Sequence, residues 1–216
     1  MSNSKSKLIL VDDHPLLRKG VRQLVELEDD MEVIGEASNG ADAVVLVQEK
    51  EADLVLLDLT MKGMDGIETL ETMRDVGVNC RIVVFTVSDD TNDVVTALKA
   101  GADGYLLKDM DPDLLIDRIR EACSGKMVLS EDLTEILAKA LRDDSSKNQN
   151  DSYNSLTRRE KEILKMIAEG LSNKMIGRQL NIVEATVKVH VKHLLKKLGL
   201  RSRVQAAVWA VENRVK

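Results

Sequence analysis

Short apolar runs rich in β-branched residues alternate with amphipathic stretches from the start of the chain to about residue 125. The runs predict strands at Lys7–Val11, Glu32–Glu36, Asp53–Leu57, Arg81–Thr86 and Gly104–Leu107. Between them a helical period of about 3.6 residues predicts helices at Pro15–Leu27, Ala41–Lys50, Gly66–Asp75 and Thr91–Ala100, with a closing helix at Pro112–Cys123. Five strands, each followed by a helix, imply right-handed crossovers and a parallel sheet. The wholly apolar runs Leu54–Leu57 and Ile82–Phe85 read as central strands buried on both faces.

The pattern then changes. Residues 130–142 form one more amphipathic stretch, capped by Ser130, with Leu133, Ile136, Leu137 and Leu141 on one face. The segment 143–155, DDSSKNQNDSYNS, is nearly free of apolar residues and reads as a flexible linker. Beyond it everything is helical: Thr157–Glu169, Ser172–Leu180, Glu184–Leu198 and Ser202–Asn213. Thr157 and Glu160 form a capping box at the start of the first, and Gly170 is its stop signal. The chain therefore divides into an α/β domain over 1–126, a linker helix and flexible linker over 127–154, and an all-α domain over 155–216.

Composition narrows the class. The chain has 216 residues, 44% hydrophobic and 31% charged with only 2 Pro, which suits a soluble globular protein with room for two small cores. No apolar stretch approaches the ~18 residues of a membrane span, so secretion and membrane insertion are not expected and the cytoplasm is. Cys80 and Cys123 lack metal-type spacing and read as two buried thiols in a reducing compartment. With 2% aromatics, aliphatic side chains must fill the cores.

The net charge of −6 hides a division. Residues 155–216 carry 14 Lys and Arg against 5 Asp and Glu, whereas residues 1–154 carry 17 against 32. A basic segment on an acidic one points to a polyanion partner, with nucleic acid the first candidate.

In a parallel α/β sheet, ligands bind at the carboxyl ends of the strands. The first strand ends at Asp12 and Asp13, the third at Asp58, the fourth at Thr86 and the fifth at Lys108. Any one such aspartate could simply cap a loop; five informative positions at strand ends argue for a site. Converging carboxylates repel unless a hard cation neutralises them, and Mg2+ suits oxygen ligands. Thr86 and Lys108 suit the oxygens of a phosphoryl group. The loop DDHPLLRKG lacks the glycines that cradle a nucleotide's phosphates, so the remaining chemistry is a carboxylate that itself accepts a phosphoryl group, with Asp58 the nucleophile.

At VDDHP, LLDLTMKGMDG, FTVSD and GADGYLLKD, spread over residues 7–125, the chain resembles the receiver domain of response regulators. That resemblance implies a flavodoxin-like, doubly wound five-stranded sheet and phosphorylation of Asp58 by a sensor histidine kinase. It implies metal ligation by Asp13 and Asp58, with Asp12 nearby, and by the backbone carbonyl of Thr60. It also assigns Thr86 and Tyr105 to a switch, the ring turning inward behind the threonine, and pairs Lys108 with the phosphate.

In the basic half, the helix EATVKVHVKHLLKKL divides on a helical wheel. Val187, Val191, Leu194, Leu195 and Leu198 share one arc, and Lys188, Val189, Lys192, His193 and Lys196 the other. Lysines recurring every four residues repel one another unless they meet an anion. With Ser172–Leu180 and the turn at Asn181, this helix forms a helix-turn-helix suited to the major groove of double-stranded DNA. His190 and His193 lack a third ligand and do not make a metal site.

The stretches LTRREKEIL, GLSNKMIGRQLNI, ATVKVHVKHLLKKLGL and RSRVQAAVWA resemble the output domain of the LuxR/FixJ (NarL/FixJ) group. By matching position, that resemblance sends Lys188, Val189 and Lys192 to base edges and Lys174, Arg178, Lys196, Arg201 and Arg203 to phosphates. Two positions depart from the group. Val183 replaces the usual capping Ser or Thr, a loss of about 1 kcal/mol unless the preceding turn holds the helix start. Gly177 stands for the usual alanine, at a similar cost unless a close backbone contact needs it. The apolar series Val204, Ala207, Val208 and Val211 around Trp209 is either core or the contact of a homodimer on paired half-sites.

Together these features predict a two-component transcription factor that performs no enzymatic reaction beyond its own phosphoryl transfer and dephosphorylation. SNKMI, TVKVHVKHLLKKL and VVTALKAGADGYLLKDM are most similar to the nitrate/nitrite-responsive members of the family. Opposite charges on one tether predict a closed state in which the acidic domain covers the recognition helix until Asp58 is phosphorylated. The different-class alternative is a magnesium-dependent phosphohydrolase anchored to nucleic acid by its tail. That chemistry wants a carboxylate two residues after the nucleophile, where this chain has Thr60. A third possibility is a DNA-binding protein whose receiver does not switch.

Overall fold

In a computed structural model, residues 5–126, 128, 153–213 and 215 of the chain are described. The first block alternates β1 (Ser6–Val11), α1 (Pro15–Glu26), β2 (Met31–Ala37), α2 (Gly40–Glu49), β3 (Leu54–Leu57), α3 (Gly66–Asp75), β4 (Arg81–Thr86), α4 (Thr91–Ala100), β5 (Gly104–Leu107) and α5 (Pro112–Ser124). Its strands form one parallel sheet in the order β2-β1-β3-β4-β5, the doubly wound arrangement that the alternation predicts.

The two-residue period of the central strands divides their side chains between two cores. Ile9, Val11, Val55, Leu57, Ile82 and Val84 face one side, where α2, α3 and α4 contribute Val47, Leu70, Met73 and Leu98. Leu8, Leu10, Leu54, Leu56, Val83 and Phe85 face the other, against Val21 and Val25 of α1 and Leu115, Ile116 and Ile119 of α5. Arg74 fastens the lower end of the sheet from within. Its guanidinium pairs with Asp103 at 2.7 Å and donates to the carbonyls of Val78, Cys80 and Gly101.

The second block is helical throughout: α6 (Arg158–Ala168), α7 (Asn173–Leu180), α8 (Glu184–Leu198) and α9 (Arg203–Glu212). The capping box at Thr157 and Glu160 is formed. Ile163, Leu164, Ile167, Ile176, Val187, Leu194, Ala206, Trp209 and Ala210 make a separate core. Two readings differ from expectation. The linker was expected to reach Ser155, but Tyr153 and Asn154 are helical and the Tyr153 ring stacks on Trp209, centroids 6.1 Å apart, with Lys161 Nζ 4.6 Å from the Tyr153 ring centroid. An aromatic ring in a polar run found an apolar neighbour 56 positions on, which no local pattern encodes. Cys80 and Cys123 are free but half-buried rather than buried. The helix expected over 130–142 lies outside the described residues, as does the linker apart from Tyr153 to Ser155.

Candidate functional site

Asp12, Asp58 and Lys108 directly follow β1, β3 and β5, and Thr86 is the last residue of β4, so all four come to the C-terminal edge of the sheet. Asp58 is 1% exposed and its Oδ2 lies 2.6 Å from Lys108 Nζ, which is also 2.9 Å from Asp12 Oδ2. The Thr60 N–H donates to Asp58 Oδ1 at 3.3 Å, and the Asp58 N–H donates to Val11 O. α3 starts against this segment so closely that a Cβ on Gly66 would sit 2.3 Å from the Asp58 carbonyl oxygen, which is why glycine stands there. Arg18 donates to the Asp12 carbonyl and pairs with Glu36 at 3.0 Å. Burial pushes Glu36 upward, but the hydrogen bonds from Arg22 and Arg18 outweigh it and hold the carboxyl below its ordinary range.

Ligand atoms of Asp12, Asp13, Asp58 and His14 all lie within 4.8 Å of one another. Asp13 Oδ1 is buried and accepts no aligned hydrogen bond, with only the exposed His14 ring near it at 2.9 Å. A buried oxygen without a donor, in a set of hard carboxylate oxygens, fits a divalent cation of the Mg2+ type. His14 was not picked out from sequence; its signal was its place directly after the aspartate pair.

Thr86 is fully buried and its Oγ1 accepts from the Ser88 N–H at 3.4 Å. The Tyr105 ring is already inside, 5% exposed, with its hydroxyl donating to Ser88 O at 2.8 Å. Burial pushes its hydroxyl up to about 12. Thr86 and Tyr105 thus both hold Ser88, just ahead of α4.

In the helical block, α7, the turn at Asn181 and α8 form the expected helix-turn-helix. Asn181 takes a left-handed conformation at φ 52°. Val183 makes no side-chain cap, and the backbone takes over: Thr186 N–H donates to Val183 O, and Ile182 N–H to Gly177 O. Gly177 is explained by the same turn, since a Cβ there would lie 2.7 Å from Ile182 O. Lys174, Arg178, Lys188, Val189, Lys192, Lys196 and Arg201 are exposed.

Three of the cationic residues expected at DNA meet the α/β block instead. Lys188 pairs with Asp53 at 2.9 Å, and Arg201 approaches Glu71 and Asp75 at 3.5 and 3.6 Å. Arg203 is half-buried, its guanidinium donating to Asn173 Oδ1 and Leu171 O and its N–H to Asp103 Oδ1. In this arrangement Arg203 is not presented to a DNA phosphate, because the start of α9 docks on Asp103.

α9 makes the tightest of these contacts. Val204 and Val208 are buried in the core that α4 shares, which divides the apolar series of α9 between the two blocks and leaves Val211 exposed. Buried Gln205 donates through Nε2 to Leu98 O and Lys99 O, both at 3.0 Å, capping the C-terminal end of α4 from the other block. Burying the two valines contributes about 1.5–3 kcal/mol each, against about 0–1 kcal/mol for an exposed pair such as Lys188 with Asp53. Apolar burial, more than charge, closes this seam. Neither Gln205 nor Asp103 was legible as a contact in the sequence.

Among the described residues, no helix is long and apolar enough to cross a membrane. Residues 8–120 match the family described as "Response regulator receiver domain", and residues 154–210 match "Bacterial regulatory proteins, luxR family". Over all 216 residues the chain is 54% identical to the nitrate/nitrite response regulator protein NarL of Escherichia coli K12, covering 100% of both chains. It is 46% identical to the nitrate/nitrite response regulator protein NarP of the same organism, over 96% of this chain and 95% of that one. A crystal structure of the response regulator ChrA, from a heme-sensing two-component system, is similar with TM-score 0.51 and 34% identity, covering 99% of this chain and 100% of that one.

Proposed function

The chain belongs to the response-regulator family with a LuxR-type DNA-binding output domain, a non-enzymatic kind of protein, and from that premise we propose that phosphorylation of Asp58 releases residues 155–216 to bind DNA. The observation that carries this reading is the buried Asp58 carboxylate 2.6 Å from Lys108, at a strand end beside Asp12 and Asp13.

A sensor histidine kinase supplies the phosphoryl group. Asp58 Oδ attacks phosphorus, the P–O bond forms as the P–N bond to the kinase histidine breaks, and the histidine leaves with the electron pair and takes up a proton. Lys108 neutralises charge on the incoming group. Asp12, Asp13, Asp58 and the Thr60 carbonyl would hold Mg2+, which would neutralise further phosphoryl charge. The switch is local: Thr86 Oγ1 turns from the Ser88 N–H to the phosphate, and the Ser88 loop, still held by the already inward Tyr105 ring, shifts with it.

α4 carries that change to the seam. Its first residue follows the Ser88 loop, and its last carbonyls are held by Gln205, a span of about 15 Å at ~1.5 Å per residue. Moving α4 breaks the Gln205 cap and the pocket for Val204 and Val208, and frees Lys188, Arg201 and Arg203. Lys188, Val189 and Lys192 then read base edges while Lys174, Arg178, Lys196, Arg201 and Arg203 hold phosphates. The apolar face of α9 uncovered by that release then pairs two chains on two half-sites. Within the cytoplasm, nitrate and nitrite, sensed by the kinase, are the stimulus supported by the names of the relatives.

A gel shift with a small phosphodonor and magnesium tests the reading. Stimulation in the wild type and none in Asp58→Ala supports it; equal stimulation in both moves the acceptor elsewhere, and binding indifferent to the phosphodonor in both favours a receiver that does not switch.

A further inference from the structure

At the N-terminal edge of the sheet a cleft of about 220 Å3 opens between the two blocks. Arg81, the first residue of β4, lines it from one side; Asn173, Ser202 and Arg203, at the starts of α7 and α9, line it from the other. The positive ends of two helix dipoles therefore open on the cleft.

Its cations are incompletely neutralised. Arg74 is matched by Asp103, Lys188 by Asp53 and Arg201 by Glu71 and Asp75. Arg81 donates to the carbonyl of Ala122, and Arg203 to Asn173 Oδ1 and Leu171 O, so both guanidiniums hydrogen-bond neutral oxygens alone among the described residues. Lys192 lines the cleft as a sixth cation, and its lining carboxylates are three, Asp53, Glu184 and Asp103, the last already taken by Arg74, by the Ile82 N–H and by the Arg203 N–H. Burial, then the like charge of Arg81, pulls Arg203 down to about 9, and burial lowers Arg81 as well. Arginine keeps its charge at neutral pH, so two half-buried like charges line one cleft.

We propose that this cleft binds a phosphate-type oxyanion, held between Arg81 of the receiver and Arg203 of the output domain. A doubly charged tetrahedral anion answers two guanidinium forks at once, and a 220 Å3 cleft also admits the remainder of a phosphate ester or anhydride. Because the ligand touches both domains, it latches the closed state. That consequence for DNA rests on the function proposed above; the binding site itself does not.

The test is calorimetry on the full, unphosphorylated chain in magnesium-free buffer, with inorganic phosphate and pyrophosphate as probes and chloride matching the ionic strength. One saturable site is expected, with affinity at least tenfold lower in Arg81→Gln and in Arg203→Gln. Should Arg81→Gln fail to fold, Arg203→Gln decides alone. No saturable binding of either anion, or binding undiminished in the folded variants, overturns the proposal. Tighter binding of pyrophosphate identifies an anhydride or ester source, and equal binding identifies free phosphate. At ten times its Kd, the anion should lower DNA affinity of the unphosphorylated chain by up to about elevenfold beyond the chloride control, and no change would overturn the latch. Arg81→Gln should keep its phosphodonor-stimulated DNA binding. Loss of stimulation in the wild type counts against the regulator reading, whereas lost anion binding with stimulation intact counts against the cleft alone.

Discussion

The two edges of the parallel sheet are built by different rules. At the C-terminal edge, Asp12, Asp58, Thr86 and Lys108 lie within one domain, each set in place by the strand it ends or follows. At the N-terminal edge, Asp53, Arg81 and Asp103 introduce β3, β4 and β5 and meet residues of α8 and α9 100 or more positions away, as in Lys188 with Asp53 and Arg203 with Asp103. Along β3 only about 16 Å separates Asp53 from Asp58 at ~3.3 Å per residue. Chemistry at one edge and docking at the other are close enough to be joined by a single helix, α4.

The largest effect on this comparison is expected from Arg74→Ala. It strands the Asp103 carboxylate and four hydrogen bonds at the lower edge, so urea unfolding should show a loss of about 3–5 kcal/mol. A loss below 1 kcal/mol would mean that the lower edge is not held from within.

Next comes the seam itself. Val204→Ala with Val208→Ala removes about four carbon groups of burial at ~0.8 kcal/mol each. DNA affinity of the unphosphorylated chain should rise by up to roughly two-hundredfold, at ~1.4 kcal/mol per decade. Gln205→Ala, which uncaps α4, should act in the same direction through two hydrogen bonds of about 0.5–1.5 kcal/mol each. Unchanged affinity in both variants would show that docking does not restrain the recognition helix.

Val183→Thr sharpens the contrast from the other side, because it alters only the start of α8. A side-chain cap should stabilise the output domain by about 1 kcal/mol, visible as a rise in its melting temperature. The smallest effect belongs to Asp53→Asn, which removes the exposed partner of Lys188. Interdomain affinity should fall by about 0–1 kcal/mol, and the difference from wild type should vanish at high salt.

The upper edge was legible because a parallel sheet places its functional residues directly after its strands, and five such positions carried matching chemistry. His14 escaped attention although it directly follows the aspartate pair, because an exposed histidine there reads as an ordinary loop residue. The lower edge was not legible for a deeper reason. Asp53 and Asp103 read as ordinary turn residues, and Gln205 as a polar position on an otherwise small-residue helix. Their roles depend on how two separately cored blocks meet. The charge split suggested that the halves attract, whereas the seam puts apolar burial of Val204 and Val208 ahead of the exposed ion pairs. Gly177 shows the intermediate case: its cost in a helix was legible, while its reason, the approach of Ile182 O, needed the turn in three dimensions.

The central claim, that phosphorylation at one edge opens the other, is tested most directly by a distance distribution between spin labels at exposed positions 45 in α2 and 211 in α9. The unphosphorylated chain should give one narrow distribution, and phosphodonor with magnesium should lengthen and broaden it in the wild type but not in Asp58→Ala. A distribution already broad before phosphorylation, or one that stays narrow while DNA binding rises, would contradict the account.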